Sequence, residues 1–442
     1  MTHSYHTAAA PRVLMFAPGF APYAASENLV NSKLALAMLN RGWDVTVISR
    51  CDRGFNYGVE WTEPWLPLRD FTHEVDYGFG GSGQRFGERV YHSLRLGHPI
   101  AGVRWAWRAL ELALSLHREK AFDLVLSRSI SCCAHLPALS FVRQTSVPWI
   151  ANWNDPPGYW FPPPYEYQAN ALRQAVWNRY YRDVMNTADI NTFPCERLAR
   201  YVSERLGIKE RKNISIIPHI GLDTEVTPPA REPGESVFRL CHAGNLSRER
   251  NPALFLRALK RLVETDAAPN RIQLDIIGVE NVELGTLIRE TGLTEHVTFT
   301  GTLSYMKTLE RLASGTVQVI LEAPCPTGIF LPSKFTDYVQ TGRPVLAVSP
   351  ARGTMNDLLA FHGGGLAVDC TSAGDIFAGL QTLYGQWQAG ILDRHCSSFL
   401  WPLFAPDGII ERYAQILSEI QKGRSVNGAK SACKYTAGMM RG

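Results

Sequence analysis

The chain has 442 residues, of which 45% are hydrophobic and 19% are charged. At roughly 100–200 residues per domain, this length predicts two domains, and the composition excludes a chain that is disordered throughout. No apolar run reaches the length of about 18 residues that a membrane span requires. The net charge of +4 arises in residues 421–442, which hold five basic and no acidic side chains. The remainder is nearly neutral, which argues against a nucleic-acid-binding protein, and we expect 421–442 to be a basic, disordered tail.

The cysteines indicate a reducing compartment. There are nine of them, an odd number, and no two are spaced as CxxC. This pattern argues against a disulfide framework or a structural zinc site. The first residues lack the charged and apolar regions of a signal peptide, so we expect a cytoplasmic protein.

The first half of the chain alternates short apolar segments with longer amphipathic ones. The short segments are typical of buried parallel strands, and the longer ones are typical of helices. The predicted strands are 13–17, 44–49, 123–127, 148–152 and 190–193, and the predicted helices are 26–40, 100–118, 134–144 and 170–186.

The second half of the chain restarts the same alternation. The predicted strands are 238–242, 273–278, 297–301, 317–321, 345–348 and 365–368, and the predicted helices are 252–264, 282–291, 306–313, 332–340, 355–361 and 373–388.

This alternation predicts an α/β architecture of two Rossmann-like, doubly wound domains that face each other across a cleft. The proline-rich segment 217–237 separates the two halves. We place the first domain in 1–222 and the second in 223–407, and we expect a helix at 408–420 to return toward the first domain. Ligands of doubly wound sheets bind at the carboxyl ends of the strands, so the cleft is where we expect the site.

Two polar stretches of the second half predict anion binding. The first runs from Leu240 to Pro252 and places Arg248 and Arg250 in the loop between a strand and a helix. A guanidinium there, with the free amides of the helix start, suits a diphosphate. The alternative is a solvated arginine on a loop.

The second stretch begins Leu331-Pro-Ser-Lys334 and continues to Ala347. Lys334 lies in the first turn of the predicted helix, where a cation opposes the helix dipole, and a bound anion would explain that cost. Asp337, three residues later on the same face, could accept hydrogen bonds from the hydroxyls of a sugar. The alternative is a simple ion pair between the two side chains.

With these stretches, the chain resembles the GT-B-fold glycosyltransferases of family 4 over roughly residues 12–420. The resemblance rests on Gly244-Asn-Leu-Ser-Arg-Glu-Arg-Asn-Pro252 and on the Pro-Ser-Lys stretch with its following Thr-Gly-Arg-Pro. The latter is similar to the PSK-type subgroup of bacterial surface polysaccharide enzymes. The resemblance implies a nucleotide-sugar donor in the second domain and an acceptor in the first.

The resemblance also implies roles for single residues. Arg250 takes the place of a lysine that contacts the diphosphate, and Asp337 takes the place of the carboxylate that holds the ribose. Ile329 stands where the family usually has a first glutamate, so the donor sugar is expected to contact the backbone of 328–330. The remaining implied donor-side residues are Gly244, Asn245, Gly301, Thr302, Leu303, Gly328, Phe330 and Lys334, with Ser26 and Glu27 in the N-terminal loop that faces the phosphates.

The chemistry implied is sugar transfer with retention from a nucleoside-diphosphate sugar to a hydroxyl acceptor. Arg250 and Lys334 would stabilise the departing diphosphate, and we expect neither a metal ion nor a cofactor. Asp155, just past a predicted strand, is the candidate that orients or deprotonates the acceptor hydroxyl. The alternative for Asp155 is a turn residue before proline.

Two other functions remain open from the sequence: a UDP-sugar epimerase of the same fold, and a nucleotide-sugar-binding protein without catalysis. The acceptor is expected to be a saccharide or a lipid-linked saccharide. Arg104, Trp105, Trp107 and Arg108 in the helix 100–118 would suit a membrane interface. Core packing of this helix is the favoured interpretation, and peripheral contact at the inner face of the membrane is the alternative.

Overall fold

A computed structural model of the chain describes residues 10–51, 60–77, 84–129, 132–208, 213–224, 226, 237–265 and 271–439. Two sheets of parallel strands organise these residues. The first sheet has the strand order β3-β2-β1-β4-β5-β6-β7. Its strands are β1 (Arg12–Phe16), β2 (Asp44–Cys51), β3 (Thr72–Asp76), β4 (Leu124–Ser129), β5 (Trp149–Trp153), β6 (Ile190–Phe193) and β7 (Ile214–Ile216).

The second sheet has six parallel strands in the order β10-β9-β8-β11-β12-β13. The strands β8, β11 and β12 at its centre are mostly buried apolar residues, as expected of strands that helices cover on both faces. Its strands are β8 (Phe238–Ala243), β9 (Ile272–Ile277), β10 (Val297–Phe299), β11 (Val317–Leu321), β12 (Val345–Ser349) and β13 (Gly365–Asp369).

Fourteen helices are found within the described residues, and most connect consecutive strands. Asn170, Asn281 and Ser304 cap the starts of three of them, each accepting a hydrogen bond from a backbone amide of the first turn. The helices are α1 (Ser26–Asn40), α2 (Gln84–Leu96), α3 (Val103–Glu119), α4 (His135–Thr145), α5 (Ala171–Thr187), α6 (Glu196–Leu206), α7 (Ala253–Thr265), α8 (Val282–Glu290), α9 (Tyr305–Ala313), α10 (Lys334–Gln340), α11 (Thr354–His362), α12 (Ala373–Gln388), α13 (Trp401–Phe404) and α14 (Pro406–Met439).

The architecture agrees with the prediction of two Rossmann-like, doubly wound domains. All eleven predicted strands are present, and the predicted boundary near 222 falls between β7 of the first sheet and β8 of the second. The structure adds β3, β7, α2, α6 and α13, which the sequence analysis did not predict. Among the described residues, no helix is both long and apolar enough to cross a membrane.

The strand orders place one reversal point in each sheet. In the first sheet the order reverses between β1 and β4, and in the second between β8 and β11. Neighbouring loops there leave toward opposite faces and open a crevice at the carboxyl ends of the strands. The loops after β1, β5, β8 and β11 therefore supply most of the site described below.

The final helix α14 packs on the first domain, against α1. Arg128 at the end of β4 donates from Nη1 to the hydroxyl of Tyr413 in α14 at 3.3 Å, and from Nε to Asn31 Oδ1 in α1 at 2.7 Å. The helix is longer than the predicted 408–420 and continues into the segment predicted to be a tail. Residues 440–442 lie outside the described part of the chain.

A buried ion pair joins the two domains beneath the cleft. Lys33 of α1 contacts Asp337 of α10, and the side chain of Lys33 is only 1% exposed. The hydroxyl of Tyr305 donates to the same Asp337 oxygen at 2.7 Å, while Lys33 Nζ also lies 3.3 Å from Thr336 Oγ1. The ammonium group, taken out of water by both domains, is thus compensated by one carboxylate and one hydroxyl.

Additional hydrogen bonds cross between the domains around this ion pair. His219 Nε2 lies 3.0 Å from the carbonyl oxygen of Leu331. The side-chain amide of Gln340 accepts from the Leu222 amide and donates to the Leu222 carbonyl, both at 3.0 Å. The connection between the domains is therefore held at its backbone as well as by side chains.

We expect Lys33→Met to destabilise the protein strongly, because it leaves the Asp337 carboxylate without its cation. Removing one partner of a buried pair costs about 3–5 kcal/mol. Lys307→Met is the matched control, because Lys307 is an exposed lysine on α9. Chemical denaturation with both variants checks this, and equal unfolding free energies for the two variants would contradict the role of the ion pair.

Candidate functional site

A cavity of about 260 Å³ lies between the carboxyl ends of the two sheets. We call it the cleft cavity. Its wall combines residues of the first domain with residues of the second, as expected from the reversal points of the two sheets. The residues that line this wall include Ser26, Glu27, Asn154, Asp155, Phe161, Tyr165, His219, Arg250, Glu322, Cys325, Phe330 and Lys334.

Glu27 and Asn154 form the polar wall of the first domain. Glu27 lies in the first turn of α1 and is 6% exposed, and Asn154 follows β5 and is 7% exposed. The Asn154 amide donates to Glu27 Oε2 at 2.7 Å, and the Asn31 amide donates to Glu27 Oε1 at 3.1 Å. Burial raises the pKa of Glu27 in spite of these hydrogen bonds and of the nearby Arg128. The carboxylate is thus fixed in place by two amides.

Asp155 stands next to this pair in the cavity wall. Burial raises the pKa of Asp155 to about 7, the negative charge of Glu27 adds to the rise, and Arg250 opposes it. A carboxyl group with this pKa exchanges a proton near neutral pH. That property suits a group that accepts a proton from, or holds, an acceptor hydroxyl.

Arg250 reaches across the cleft from the second domain. A turn in which the Arg250 amide donates to the Ser247 carbonyl at 3.1 Å sets its backbone after β8. Its Nε donates to the hydroxyl of Tyr165 in the first domain at 3.1 Å. Tyr165 also packs edge-on against Phe330, with ring centroids 6.1 Å apart. The guanidinium is therefore held at the cavity while its residue remains exposed.

Lys334 is the second cation of the cavity. It begins α10, and its Nζ donates to the carbonyl oxygen of Ala243 at the end of β8. Gly244 follows with a φ of +99°, and a Cβ added to it would lie 3.2 Å from Lys334 Nζ. Burial lowers the pKa of Lys334 to about 7, the charge of Arg250 lowers it further, and Asp337 opposes the change. The close approach thus explains the glycine at 244.

Glu322 is a cavity residue that the sequence analysis missed. It directly follows β11, at the reversal point of the second sheet, and its amide donates to the Val348 carbonyl at 3.0 Å. Burial raises the pKa of Glu322 to about 7, while Arg250 opposes the rise. The available signal was a lone acidic residue immediately after the apolar run 317–321.

Several predicted donor-side residues are not among those that line the cleft cavity. Asp337 is engaged with Lys33 and Tyr305, and Lys334 bonds the Ala243 carbonyl, so the two side chains have separate partners and do not form the ion pair considered as the alternative. The Gly328 amide donates to the Arg352 carbonyl at 2.8 Å, and the Ile329 carbonyl accepts from Cys195 Sγ at 3.1 Å. The residues outside the wall are Gly244, Asn245, Gly301, Thr302, Leu303, Gly328, Ile329 and Asp337.

Of these residues, Asn245 joins two loops of the second domain. Its Oδ1 accepts from the Val279 amide at 3.3 Å, which ties the loop after β8 to the loop after β9. Thr302 is exposed and Leu303 packs partly against the core. The predicted roles of these residues toward a nucleotide remain predictions.

The cleft cavity therefore combines two cations from the second domain with carboxyl groups from both domains. Arg250 and Lys334 can hold an anion with two phosphate groups, while Asp155 and Glu322 can face hydroxyl groups. Within the described ranges, no group of three or more His, Cys, Asp or Glu side chains is arranged to hold a metal ion.

The fold has solved counterparts that cover nearly the whole chain. A sucrose-phosphate synthase from Thermosynechococcus elongatus is 15% identical, with a TM-score of 0.67 over 94% of this chain and 100% of that chain. Anabaena Alr3699/HepE in complex with UDP and glucose is 15% identical, with a TM-score of 0.63 over 92% of this chain and 100% of that chain. The lipopolysaccharide outer core galactosyltransferase WaaB is 14% identical, with a TM-score of 0.58 over 92% of this chain and 99% of that chain.

Together with the two parallel sheets, these likenesses define the class of the fold as GT-B, with two Rossmann-like domains. Residues 29–219 match the family model described as the glycosyl transferase 4-like domain. No curated protein matches the sequence.

We expect the affinity for a nucleotide sugar to fall as the pH rises from 6 to 8, because the three cavity groups Lys334, Asp155 and Glu322 have a pKa of about 7. Below pH 7, Lys334 is charged and both carboxyl groups are neutral, and all three states favour a bound diphosphate. A change of one pKa unit on binding corresponds to about a tenfold change in affinity. Titration calorimetry with UDP-glucose, whose diphosphate keeps a constant charge in this range, measures the trend.

Lys334→Arg is the control for this pH dependence, because arginine keeps its charge throughout the range. The variant is expected to bind UDP-glucose with a flatter pH profile than the wild type. An affinity of the wild type that does not change between pH 6 and 8 would contradict the proposed placement of the diphosphate.

Proposed function

We propose that this protein transfers a sugar from a nucleoside-diphosphate sugar to a hydroxyl group of an acceptor, with retention at the anomeric carbon. The observation that carries the proposal is the cleft cavity, in which Arg250 and Lys334 of the second domain face Asp155 of the first. The glycosyl transferase 4-like match over 29–219 and the nucleotide-bound counterparts of the fold support it.

The donor is proposed to bind on the side of the second domain. A diphosphate between Arg250 and Lys334 would gain two charge-assisted contacts, and these strengthen as negative charge builds on the leaving group. Anabaena Alr3699/HepE was solved with UDP and glucose and with UDP-glucose, which supports UDP as the first nucleotide to test. Two cations can serve this role in place of a metal ion, so we propose metal-independent transfer.

The acceptor is proposed to bind on the side of the first domain, next to Asp155. Glu27 is fixed there by the amides of Asn31 and Asn154, and its charge keeps the pKa of Asp155 high. Asp155 can therefore orient an acceptor hydroxyl and take its proton near neutral pH. Glu322, from the second domain, is proposed to accept hydrogen bonds from hydroxyl groups of the donor sugar.

The biological setting of the proposal follows the resemblance. We propose a role in bacterial polysaccharide or glycoconjugate assembly, as in the PSK-type subgroup, with a saccharide or lipid-linked acceptor at the inner face of the membrane. WaaB, a lipopolysaccharide outer core galactosyltransferase, shares the fold and supports this setting.

A UDP-sugar epimerase is the second candidate, because the cleft cavity holds Glu27, Asp155, Glu322 and His219. Acidic and histidine groups on two sides of a sugar are what epimerisation requires. A putative UDP-N-acetylglucosamine 2-epimerase from Listeria monocytogenes has the same fold, with a TM-score of 0.53. Incubation with UDP-sugars separates the two candidates, since a transferase releases UDP and an epimerase changes the sugar and keeps UDP attached.

Arg250→Ala is expected to weaken UDP binding while leaving uridine binding unchanged. The variant loses a charge-assisted contact of about 1.5–3 kcal/mol, or roughly 10–150-fold in affinity. Arg250→Lys should have the mildest effect, because it keeps a cation. Arg248→Ala is the matched control, since Arg248 is an exposed arginine of the same loop outside the cavity wall. Wild-type affinity of Arg250→Ala for UDP would place the diphosphate elsewhere.

Asp155→Asn is expected to lower the rate of sugar transfer by about 10²–10⁴-fold without weakening UDP binding, as for loss of a group that handles the acceptor proton. Glu322→Gln serves as its comparator, because we expect this change to raise the KM for the donor and to lower the maximal rate less. Initial rates with UDP-sugar donors and calorimetry with UDP measure both effects. Unchanged turnover in Asp155→Asn would remove it from the mechanism.

A further inference from the structure

The helix α2 carries a concentration of large apolar side chains that are open to solvent. Phe86 is 73% exposed, Leu94 is 78% exposed, Tyr91 is 52% exposed and Val90 is 43% exposed. All four lie within nine consecutive residues of one helix in the first domain. Isolated exposed apolar residues are ordinary, but a contiguous group of them marks an interaction surface.

These four side chains occupy one side of the helix. At a helical period of about 100° per residue, Phe86, Val90, Leu94 and Tyr91 span an arc of roughly 140°. Exposed arginines flank the arc, with Arg95 next to Tyr91 and Arg89 on the edge next to Phe86. A wide apolar arc bordered by basic residues is the arrangement of helices that lie in a membrane interface.

The opposite side of α2 anchors the helix to the protein. Leu96 is 4% exposed and belongs to the core of the first domain, and the His92 ring stacks on Trp107 of α3 with centroids 5.4 Å apart. Glu88, the acidic residue on the described part of α2, is paired with Arg104 of α3 at 2.9 Å. Tyr91, at one edge of the arc, also packs edge-on against Trp107, with centroids 6.0 Å apart. Phe86, Val90 and Leu94 therefore form the part of the arc that points to solvent, while the rest of α2 is held against α3.

The helix within the predicted segment 100–118 packs against the core, as the favoured interpretation of that segment expected. Trp105 is fully buried and donates from Nε1 to the Ser49 carbonyl at 3.1 Å, and Trp107 packs partly against the core. Arg108 pairs with Asp76 at 3.1 Å. The tryptophans of this helix thus pack in the first domain, and Arg104 and Trp107 contact α2, in accordance with core packing.

We propose that the exposed face of α2, formed by Phe86, Val90, Tyr91 and Leu94, docks on the surface of an anionic lipid bilayer. A helix of 13 residues is about 20 Å long, shorter than the hydrocarbon core of about 30 Å. It therefore lies parallel to the membrane plane, with the apolar arc among the acyl chains and Arg89 and Arg95 at the level of the phosphates.

The arginines on both borders of the arc, Arg89 and Arg95, favour an anionic bilayer over a second copy of this protein as the binding partner of the apolar face. Self-association through α2 would bring the arginines of two copies together, whereas anionic headgroups offer them opposite charge. A bilayer also accepts an apolar arc without a complementary groove. The proposal concerns α2 alone and does not depend on the reaction proposed for the cleft cavity.

Flotation with lipid vesicles tests the proposal. The full-length protein is expected to float with vesicles of phosphatidylglycerol and phosphatidylcholine, to bind vesicles of phosphatidylcholine alone more weakly, and to lose binding as salt rises. Replacing Phe86 and Leu94 together by serine should weaken binding to the anionic vesicles at least about tenfold. Arg89→Glu should weaken it as well, with a larger loss at low salt.

Phe361→Ser is the matched control, because Phe361 is 84% exposed on α11 of the second domain, and it should float like the wild type. Thermal unfolding and UDP-glucose binding establish that each variant is folded, and Arg89→Glu provides the test if the double serine variant does not fold. The proposal is overturned if the wild type does not float, if the α2 variants float equally, or if sedimentation shows that the α2 face forms a dimer.

Discussion

The buried contact of Lys33 with Asp337 determines how the two domains face each other. A cation from α1 and a carboxylate from α10 are removed from water together, with the Tyr305 hydroxyl as a third partner. Either charge alone in this position would be costly. The same two helices begin at the cleft cavity, α1 with Ser26 and α10 with Lys334. This electrostatic contact therefore helps to set the separation at which the two cavity walls meet, together with the hydrogen bonds around it.

The cleft cavity concentrates groups whose charge adjusts to what is bound. Asp155, Glu322 and Lys334 each have a pKa of about 7 because burial disfavours their charged forms, and Arg250 influences all three. Such a site can adjust its own charge to that of a bound anion by taking up protons. At high pH the two carboxyl groups are charged and repel an anionic ligand, so the affinity for it falls.

The hydrophobic pattern was sufficient to predict the order of most strands and helices, because buried parallel strands read as continuous apolar runs. It did not predict β3 or β7, which are short and only partly buried, or α2, whose apolar residues face solvent. Of the residues that local motifs indicated, Ser26, Glu27, Asp155, Arg250, Phe330 and Lys334 line one cavity, and their roles there stay predictions. Local motifs could not show that Glu322 lines the cavity. They also could not show that Lys33, some 300 residues away in sequence, pairs with Asp337. Both facts depend on how the domains pack.

The link from Arg128 to Tyr413 bears on the order in which the protein is made. Arg128 belongs to the fourth strand of the first sheet, yet its hydrogen-bond partner in α14 lies 285 residues further along the chain. During synthesis the first domain therefore emerges from the ribosome before Tyr413 has been translated. Nη1 of Arg128 lacks this hydrogen-bond partner until the whole second domain has been made. The helix α14 completes the first domain, which therefore reaches its finished form only after α14 has been translated.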